Sequence, residues 1–257
     1  MRVGVVTRAG EAAEIRQAAT PPRGEPQALA ATVRSLADSL KPIPVDLVGV
    51  AVPGVREGAR MVRAVNLPAL EGVDLGELFG GALGRAVHIE TDVNAATLAQ
   101  QRHAAPQAQR FVYLAIGTGV GAGVLLNGVL LRHTRGGAGL FGHLIVDASA
   151  DAPLCRCGGR GCLEAHIGGW ALAGGEPGER AVEALVTGLL QIAAIYAPEC
   201  IVLGGGVVSA ALVARAQAAF DARRTSLTPT GLTILDGSLY AEQAGVVGAA
   251  LCAASAS

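Results

Sequence analysis

The chain has 257 residues, a formal net charge of −1 and a 51% share of hydrophobic residues. This charge balance lacks the basic excess of proteins that bind nucleic acid or acidic membranes, so neither is an expected partner. No apolar run reaches the length of a transmembrane helix, and the first residues lack the order of regions of a signal peptide. We therefore expect a cytoplasmic protein of one large domain or two ordinary ones.

The first half of the chain alternates between helical and strand patterns. Leu29, Val33, Leu36 and Leu40 recur at helical spacing and predict an amphipathic helix. The continuous apolar run Val45–Val52 predicts a buried strand.

The middle of the chain continues the alternation. Val87–Ile89 predicts a short strand that ends at Asp92, and Ala95–His103 predicts the helix that follows. Phe111–Ile116 and Gly123–Leu126 predict two strands on either side of a glycine-rich turn.

The last elements complete an α/β pattern. Asn127-Gly128 is a strong hairpin signal. Apolar residues from Val182 to Tyr196 recur at helical spacing until Pro198, and Ile201–Leu203 predicts the strand after that helix. Alternation of this kind favours layers of helices packed on a sheet.

A histidine and three cysteines form the most specific pattern, His143-x11-Cys155-x-Cys157-x4-Cys162. Imidazole and thiolate are ligands that tetrahedral Zn²⁺ prefers, and four of them describe a closed, structural site. Glycines at positions 158, 159 and 161 allow a tight loop, because glycine tolerates positive φ. The alternatives are unligated thiols or a disulfide, and the one-residue spacing of Cys155 and Cys157 disfavours the disulfide. The pattern predicts one structural zinc ion.

The turn Gly117–Gly121 fits two kinds of anion site. As G-x-G-x-x-A it matches a dinucleotide-binding fingerprint, which must join a strand to a helix. Val124–Gly128 instead predicts a strand and a hairpin, so this alternative fails. A glycine-rich turn between two strands exposes backbone amides that bind phosphate, with the Thr118 hydroxyl as a further donor. A plain glycine-rich hairpin is the other interpretation.

Lysine usage excludes one further class of nucleotide site. Lys41 is the only lysine of the chain. A Walker P-loop requires Gly-x4-Gly-Lys-Ser/Thr, and Lys41 does not stand in such a sequence.

Six segments resemble motifs of the ROK family and follow one another in the same order as in that family. The family contains bacterial sugar kinases and sugar-responsive repressors. The cysteine block with the glutamate after it, GH-x11-CxCGxxGCxE, is the most specific of them. The likeness covers about residues 45–170 and 195–250. The other segments are Gly49–Gly54, Asn66-Leu67-Pro68, Thr91-Asp92-Val93-Asn94, Gly117–Gly121 and Val202–Gly206.

The resemblance implies an α/β protein with the actin-like ATPase (ribonuclease H-like) fold, in which two lobes enclose a cleft. Residues 1–91 plus 244–257 would form the smaller lobe, including a returning helix near Gly245–Ala253. Residues 92–243 would form the larger lobe with the zinc site. The resemblance also implies a homodimer.

The function implied by the resemblance is ATP-dependent phosphorylation of a hexose or amino sugar, with Mg²⁺ as the second cofactor. Asp92 would be the general base that takes the proton of the sugar hydroxyl, and it would also hold the sugar. Without the neighbouring motifs, Asp92 would be interpreted as a helix N-cap. The other implied sugar contacts are Asn66, Asn94, His143 and Glu164. The implied nucleotide-binding residues are Gly117, Thr118, Gly119, Gly121, Gly204, Gly205 and Gly206.

The chain departs from the family pattern at several positions. Arg2–Gly10 resembles the second strand of the family, so the first strand and its Asp-x-Gly-Gly-Thr phosphate loop have no counterpart. Without that strand, we expect an unpaired sheet edge in the smaller lobe. Leu140 stands in place of a sugar-contacting glutamate, Thr91 in place of an asparagine, and Gln100 in place of a glutamate.

Two functions remain open at this point. One is a glucokinase-like sugar kinase, which Asp92 and the two glycine segments favour. The other is a catalytically weak or inactive ROK-like domain that binds sugar, which Leu140 and the missing first loop favour. A repressor is disfavoured, because no helix-turn-helix segment precedes the domain.

Overall fold

The structure is a computed structural model that describes residues 1–21, 24–132, 139–238 and 241–256. These residues form eleven strands and eight α-helices. They divide into two units, each with its own core. The first unit contains Met1–Ala99, Arg132 and the C-terminal residues from Glu242, and the second contains Gln100–Leu131 and the described residues up to Ala241. The division falls inside one helix, and the lobe boundaries given by the resemblance stay a prediction.

The elements have the following bounds. The strands are β1 (Arg2–Val6), β2 (Ala12–Gln17), β3 (Gly49–Val52), β4 (Val55–Glu57), β5 (Arg60–Arg63), β6 (His88–Thr91), β7 (Phe111–Ile116), β8 (Val120–Leu126), β9 (Val129–Leu130), β10 (Cys200–Gly204) and β11 (Thr233–Asp236). The α-helices are α1 (Pro26–Asp38), α2 (Leu75–Leu83), α3 (Asp92–Ala104), α4 (Leu163–Ile167), α5 (Gly169–Leu172), α6 (Glu179–Tyr196), α7 (Ala210–Asp221) and α8 (Ala241–Ala256). Short 3₁₀ turns lie at Pro68–Leu70 and Phe141–His143.

The first unit contains three separate strand pairs. β1 pairs antiparallel with β2, β4 pairs antiparallel with β5, and β3 pairs parallel with β6. The predicted strand Val45–Val52 was too long, because β3 begins only at Gly49, opposite the first residue of β6, His88. Before that point Val45 and Leu47 are 39% and 47% exposed, so their apolar side chains do not mark a buried strand.

The helices of the first unit cover its core. Leu29 of the predicted amphipathic helix is buried in α1, with Val33 packed against the same core. The predicted C-terminal helix is present as α8 and lies very close to β3. A Cβ atom on Gly49 would lie 1.8 Å from the carbonyl oxygen of Ala249, so this contact requires glycine.

A cavity of about 1810 Å³ lies beside β1 and β3 in the first unit. Both strands line it, together with α1, α8 and the turn that carries Asn66. Among the described residues, β1 pairs only with β2 and β3 only with β6, so each strand keeps one unpaired edge. Each of the six strands of the first unit pairs with only one other strand in the described part of the chain, and β1 and β3 are the strands that line the cavity along their whole length.

The second unit is built on one sheet with the order β11-β10-β7-β8-β9. β11, β10 and β7 run parallel, whereas β7, β8 and β9 are antiparallel. β7 has the predicted bounds, and β8 begins at Val120, three residues before the predicted start. Asn127 and Gly128 adopt φ values of 52° and 74°, as the predicted tight hairpin between β8 and β9 requires.

Helices α6 and α7 pack against each other and share one core with this sheet. Leu185, Leu189 and Ile192 of α6 are fully buried, which confirms the helical periodicity predicted for this segment. The helix ends at Tyr196, and Ala197 adopts a left-handed conformation before Pro198. No helix in the described part of the chain is both long and apolar enough to span a membrane.

Candidate functional site

The four predicted metal ligands converge in the second unit. The ligand atoms of His143, Cys155, Cys157 and Cys162 all lie within 4.8 Å of one another. The sulfurs of Cys157 and Cys162 are 3.7 Å apart, and Nδ1 of His143 is 3.8 Å from the sulfur of Cys155. Two sulfurs bound at about 2.3 Å to one tetrahedral ion lie about 3.8 Å apart, so the observed spacing fits a single metal ion.

The loop between the cysteines is shaped by glycine. Gly158 and Gly161 adopt positive φ, and a Cβ atom on Gly161 would lie 1.7 Å from the carbonyl oxygen of Asp147. The Gly159 amide donates to the sulfur of Cys157 at 3.4 Å. All five cysteines of the chain are free, so the disulfide alternative fails.

The two predicted nucleotide-binding segments come together in the second unit. The first segment is tighter than predicted, because the Gly117 amide donates to the Gly119 carbonyl and Gly121 already lies in β8. The second segment turns at Gly205, where φ is 100° and a Cβ atom would lie 2.4 Å from the carbonyl oxygen of Ile116. Because Ile116 immediately precedes Gly117, both glycine turns lie at the same end of β7.

Thr118 occupies the tip of the first turn and is exposed to solvent. Gly117 and Gly119 on either side of it are partly exposed, and Gly206 of the second turn faces open space. The amides of Gly117 and Val120 are used within the second unit, so the Thr118 hydroxyl and the amides of Thr118 and Gly119 are the groups of this turn that can bind a phosphate anion.

Asp92 is the first residue of α3 in the first unit, directly after β6. One of its carboxylate oxygens accepts a hydrogen bond from the Val93 amide at 2.8 Å. The N-cap of α3 is Thr91 and not Asp92, because the Thr91 hydroxyl accepts a hydrogen bond from the backbone amide of Asn94 at 3.4 Å. The carboxyl of Asp92 is therefore left at the surface of the cavity beside β3, which Asn66 also lines.

The surroundings of Asp92 suit a proton acceptor. Its side chain is exposed to solvent, yet it stands among many protein atoms. Desolvation by these surrounding atoms raises the pKa of Asp92, while the hydrogen bond from the Val93 amide opposes the rise. A carboxylate with a raised pKa is a stronger base than an ordinary aspartate.

Two residues before Asp92, the side chain of Glu90 is 1% exposed and fully hydrogen-bonded. Its carboxylate accepts from Arg56 at 2.8 Å and from Arg132 at 2.7 Å. The Thr91 amide and the Asn94 side chain are further donors, at 2.8 and 3.1 Å. Burial raises the pKa of Glu90, but these donors outweigh it and lower the pKa to about 2. Glu90 is thus a buried anion that fixes both ends of the β6–α3 junction.

This cluster was not anticipated from the sequence. The available signal was a charged residue in the strand between Ile89 and Thr91, where an unpaired carboxylate would be costly. The partners Arg56 and Arg132 are distant in sequence, so the pattern alone could not have identified them.

Glu164, which the resemblance implies as a sugar contact, is hydrogen-bonded within the protein. It lies in α4, two residues after Cys162, and its Oε2 accepts a hydrogen bond from the Val120 amide at 2.8 Å. Its Oε1 accepts from the indole of Trp170 at 3.2 Å. Both oxygens of Glu164 therefore contact groups of the second unit.

The predicted sugar contacts are distributed over both units. Asn66, Asp92 and Asn94 belong to the first unit, whereas His143 and Glu164 belong to the second. The side-chain amide nitrogen of Asn94 donates a hydrogen bond to Glu90. Nδ1 of His143 faces the sulfur of Cys155.

Comparison with known proteins gives a consistent result. The model of the ROK family matches residues 1–175. An N-acetylmannosamine kinase from Yersinia pestis (strain Pestoides F) is 33% identical over 172 residues, which is 66% of this chain and 58% of that protein. The matches span 38% to 58% of the length of the first curated relatives.

Two solved structures superpose on nearly the whole chain. A ROK hexokinase from Thermus thermophilus has a TM-score of 0.80 and 27% identity, covering 100% of this chain and 99% of that one. A ROK family glucokinase from Streptomyces griseus, solved in complex with glucose and AMPPNP, has a TM-score of 0.74 and 25% identity. The superposition covers 98% of this chain and 95% of that glucokinase. The predicted α/β, actin-like ATPase fold is confirmed by these neighbours.

Proposed function

This chain belongs to the ROK family, and from that premise we propose that it transfers the γ-phosphoryl group of ATP to a hydroxyl of a hexose or amino sugar. The relatives support a sugar as substrate, because those it resembles are named as a hexokinase, a glucokinase and an N-acetylmannosamine kinase. The specific sugar and the homodimer remain predictions.

The observation that carries the proposal is the junction of β6 and α3. There Asp92 presents an accessible carboxyl with a raised pKa, and Glu90 fixes the backbone on either side of it. In the proposed reaction Asp92 accepts the proton of the attacking sugar hydroxyl. Asn66 lines the same cavity and is a candidate hydrogen-bond partner for the sugar.

The glycine turns of the second unit supply the proposed phosphate contacts. The exposed Thr118 hydroxyl, with the amides of Thr118 and Gly119, would hold ATP phosphates, and the turn at Gly205 would lie along the nucleotide. Phosphoryl transfer depends mainly on positioning and on charge stabilisation, to which Mg²⁺ contributes when bound with ATP.

We also propose that His143, Cys155, Cys157 and Cys162 bind a structural zinc ion. The sulfur spacing of 3.7 Å and the ligand types fit tetrahedral Zn²⁺. The proposed ion would hold the loop that ends at Cys162 and thereby orient α4 with Glu164. His143 would keep Nε2 free for a sugar hydroxyl.

A catalytically weak sugar-binding domain is the second candidate function. Leu140 is 51% exposed and supplies no hydrogen-bond acceptor where family members have a glutamate. Without that side-chain acceptor the sugar would be held less precisely, which would lower turnover.

One pair of measurements separates the two candidates. Calorimetric titration with glucose, N-acetylmannosamine and other hexoses reports binding, and a coupled ADP-release assay on the same panel reports turnover. Sugar-dependent ADP release supports the kinase. Sugar binding without ADP release above the blank would support the binding domain instead.

A further inference from the structure

The glycine turn between β7 and β8 is hydrogen-bonded to α4 and α5. These two helices follow residues 155–162, the segment with the three cysteines of the proposed zinc site, which is called the metal loop below. The Gly169 amide donates to the Gly117 carbonyl at 2.8 Å, and the Trp170 amide donates to the Thr118 carbonyl at 3.2 Å. The Val120 amide, on the other side of the turn, donates to Glu164 at 2.8 Å. Backbone groups on both sides of the turn are thus held by residues 164–170.

The carboxylate of Glu164 fits closely against this turn. A Cβ atom on Gly119 would lie 2.6 Å from Oε2 of Glu164, so no side chain fits between them. Trp170 fixes the other oxygen through its indole N–H at 3.2 Å. Charge-assisted hydrogen bonds of this kind are stronger than neutral ones, so the carboxylate is well suited to hold the turn in one conformation.

Trp170 in turn contacts the metal loop. The guanidinium carbon of Arg156 lies 4.6 Å from the centre of the indole ring, within the range of a cation–π contact. Arg156 stands between Cys155 and Cys157, and Trp170 also packs against the buried residues Cys155 and Cys162. A continuous chain of contacts therefore joins the metal loop to the glycine turn.

We propose that Glu164 and Trp170 are positioning residues for the phosphate-binding turn, and that they couple its geometry to the metal loop. This inference rests on the proposed function only in assigning the turn to a nucleotide. The carboxylate retains lone pairs beyond those used here, so a sugar contact by Glu164 is compatible with this role. Trp170, however, is assigned no sugar contact, and its substitution isolates the positioning role.

The test uses Trp170→Phe, Glu164→Gln and the double variant. Phenylalanine keeps an aromatic ring next to Arg156 and removes the N–H donor together with part of the indole volume that packs against Cys155 and Cys162. Glutamine can accept from Val120 but then turns its own N–H groups towards the Trp170 donor. Thr187→Val is the matched control, because it removes one hydrogen bond of the second unit, from the Thr187 hydroxyl to the Glu183 carbonyl, away from the turn.

The first measurement is hydrogen exchange of the Val120 amide in the full chain. Trp170→Phe should speed this exchange by about five-fold, the effect of one lost hydrogen bond on local opening. The double variant should exchange no faster than Glu164→Gln alone, because both changes act through one carboxylate. Exchange equal to that of Thr187→Val, or fully additive effects, would overturn the proposal.

The second measurement is calorimetric binding of AMPPNP and of the preferred sugar to the same variants. Trp170→Phe should weaken AMPPNP binding by about five-fold and leave sugar binding unchanged. Weaker sugar binding with unchanged AMPPNP binding would contradict the proposal. If the unmodified chain does not bind AMPPNP, the kinase function fails, while Val120 exchange still decides whether Glu164 and Trp170 hold the turn.

Discussion

Nε of Arg132 donates to Oε2 of Glu90 at 2.7 Å, and Arg56 donates to the other oxygen at 2.8 Å. The carboxylate is buried and its pKa is lowered to about 2, so it stays ionised in the folded protein far below neutral pH. Because Glu90 also accepts from the Thr91 amide, this anion supports the residue next to Asp92.

The first prediction concerns acid stability. The folded pKa of Glu90 lies below its ordinary value of 4.5, so its stabilisation is complete above that pH and is lost as the pH falls towards 2. The shift corresponds to about 3 kcal/mol of unfolding free energy. Glu90→Gln should therefore unfold more easily at neutral pH, and the difference from wild type should shrink below pH 4.5.

Urea unfolding followed by circular dichroism across this pH range measures the effect. The control is Glu57→Gln, which changes an exposed glutamate of the same unit. A difference between wild type and Glu90→Gln that does not change with pH would mean that the ion pairs do not hold the Glu90 pKa down.

The second prediction concerns the metal. Purified protein should contain about one zinc ion per chain, and Cys157→Ser should lose it and melt at a lower temperature. Because Trp170 is the only tryptophan and packs against Cys155 and Cys162, chelation should also change the fluorescence of the protein. Elemental analysis and emission spectra check both points.

The matched control for the metal is Cys200→Ala, since Cys200 lies in β10, outside the ligand cluster. This variant should retain its zinc. If protein purified without a chelator contained no zinc, the metal assignment would be wrong.

The third prediction concerns the cavity beside β1 and β3. An N-terminal extension that carries one strand and an Asp-x-Gly-Gly-Thr loop should fill this space and pair with the free strand edges. Burial of its apolar side chains should raise the melting temperature. We also expect it to raise sugar-dependent ADP release far more than Leu140→Glu does, because it supplies a phosphate-binding loop.

The control is an extension of equal length made only of glycine and serine, which cannot bury apolar side chains. Equal melting temperatures for the two extended proteins would show that the cavity does not accept a strand. Equal ADP release would show that an added Asp-x-Gly-Gly-Thr loop does not raise turnover.

The sequence predicted some elements well for identifiable reasons. β7 and the Asn127-Gly128 hairpin follow local patterns, and the structure has both where they were expected. The cysteine ligands converge because a short glycine loop leaves the chain few alternatives. These features depend on residues close together in sequence.

Other features depend on distant contacts and could not be predicted in this way. The apolar run at Val45 was interpreted as strand, but pairing begins only where β6 provides a partner. The donors Arg56 and Arg132 are 34 and 42 residues from Glu90. The hydrogen bond from Val120 to Glu164 likewise spans 44 residues. A local pattern carries no information about such pairs.

The fourth prediction is the pH dependence of turnover. If Asp92 is the base, it must be ionised to accept a proton, so kcat/KM should fall as the pH drops through its pKa. Because burial raises that pKa, the fall should occur above the ordinary aspartate value of 3.8. Circular dichroism at each pH shows whether the protein stays folded in the range in which Glu90 loses its stabilising effect. A rate that stays constant down to pH 3.8 in folded protein would argue against a base with a raised pKa.

The central claim is that Asp92 is the base of a sugar kinase, and turnover of Asp92→Asn tests it most directly. The variant keeps the size of the side chain and removes its basicity, with Asp221→Asn, an exposed partner of Arg224 away from the cavity, as the control. Sugar-dependent ADP release should fall by about 10²- to 10⁴-fold in Asp92→Asn. Sugar affinity should change little, and the control should keep its rate. Full turnover in Asp92→Asn would contradict the account.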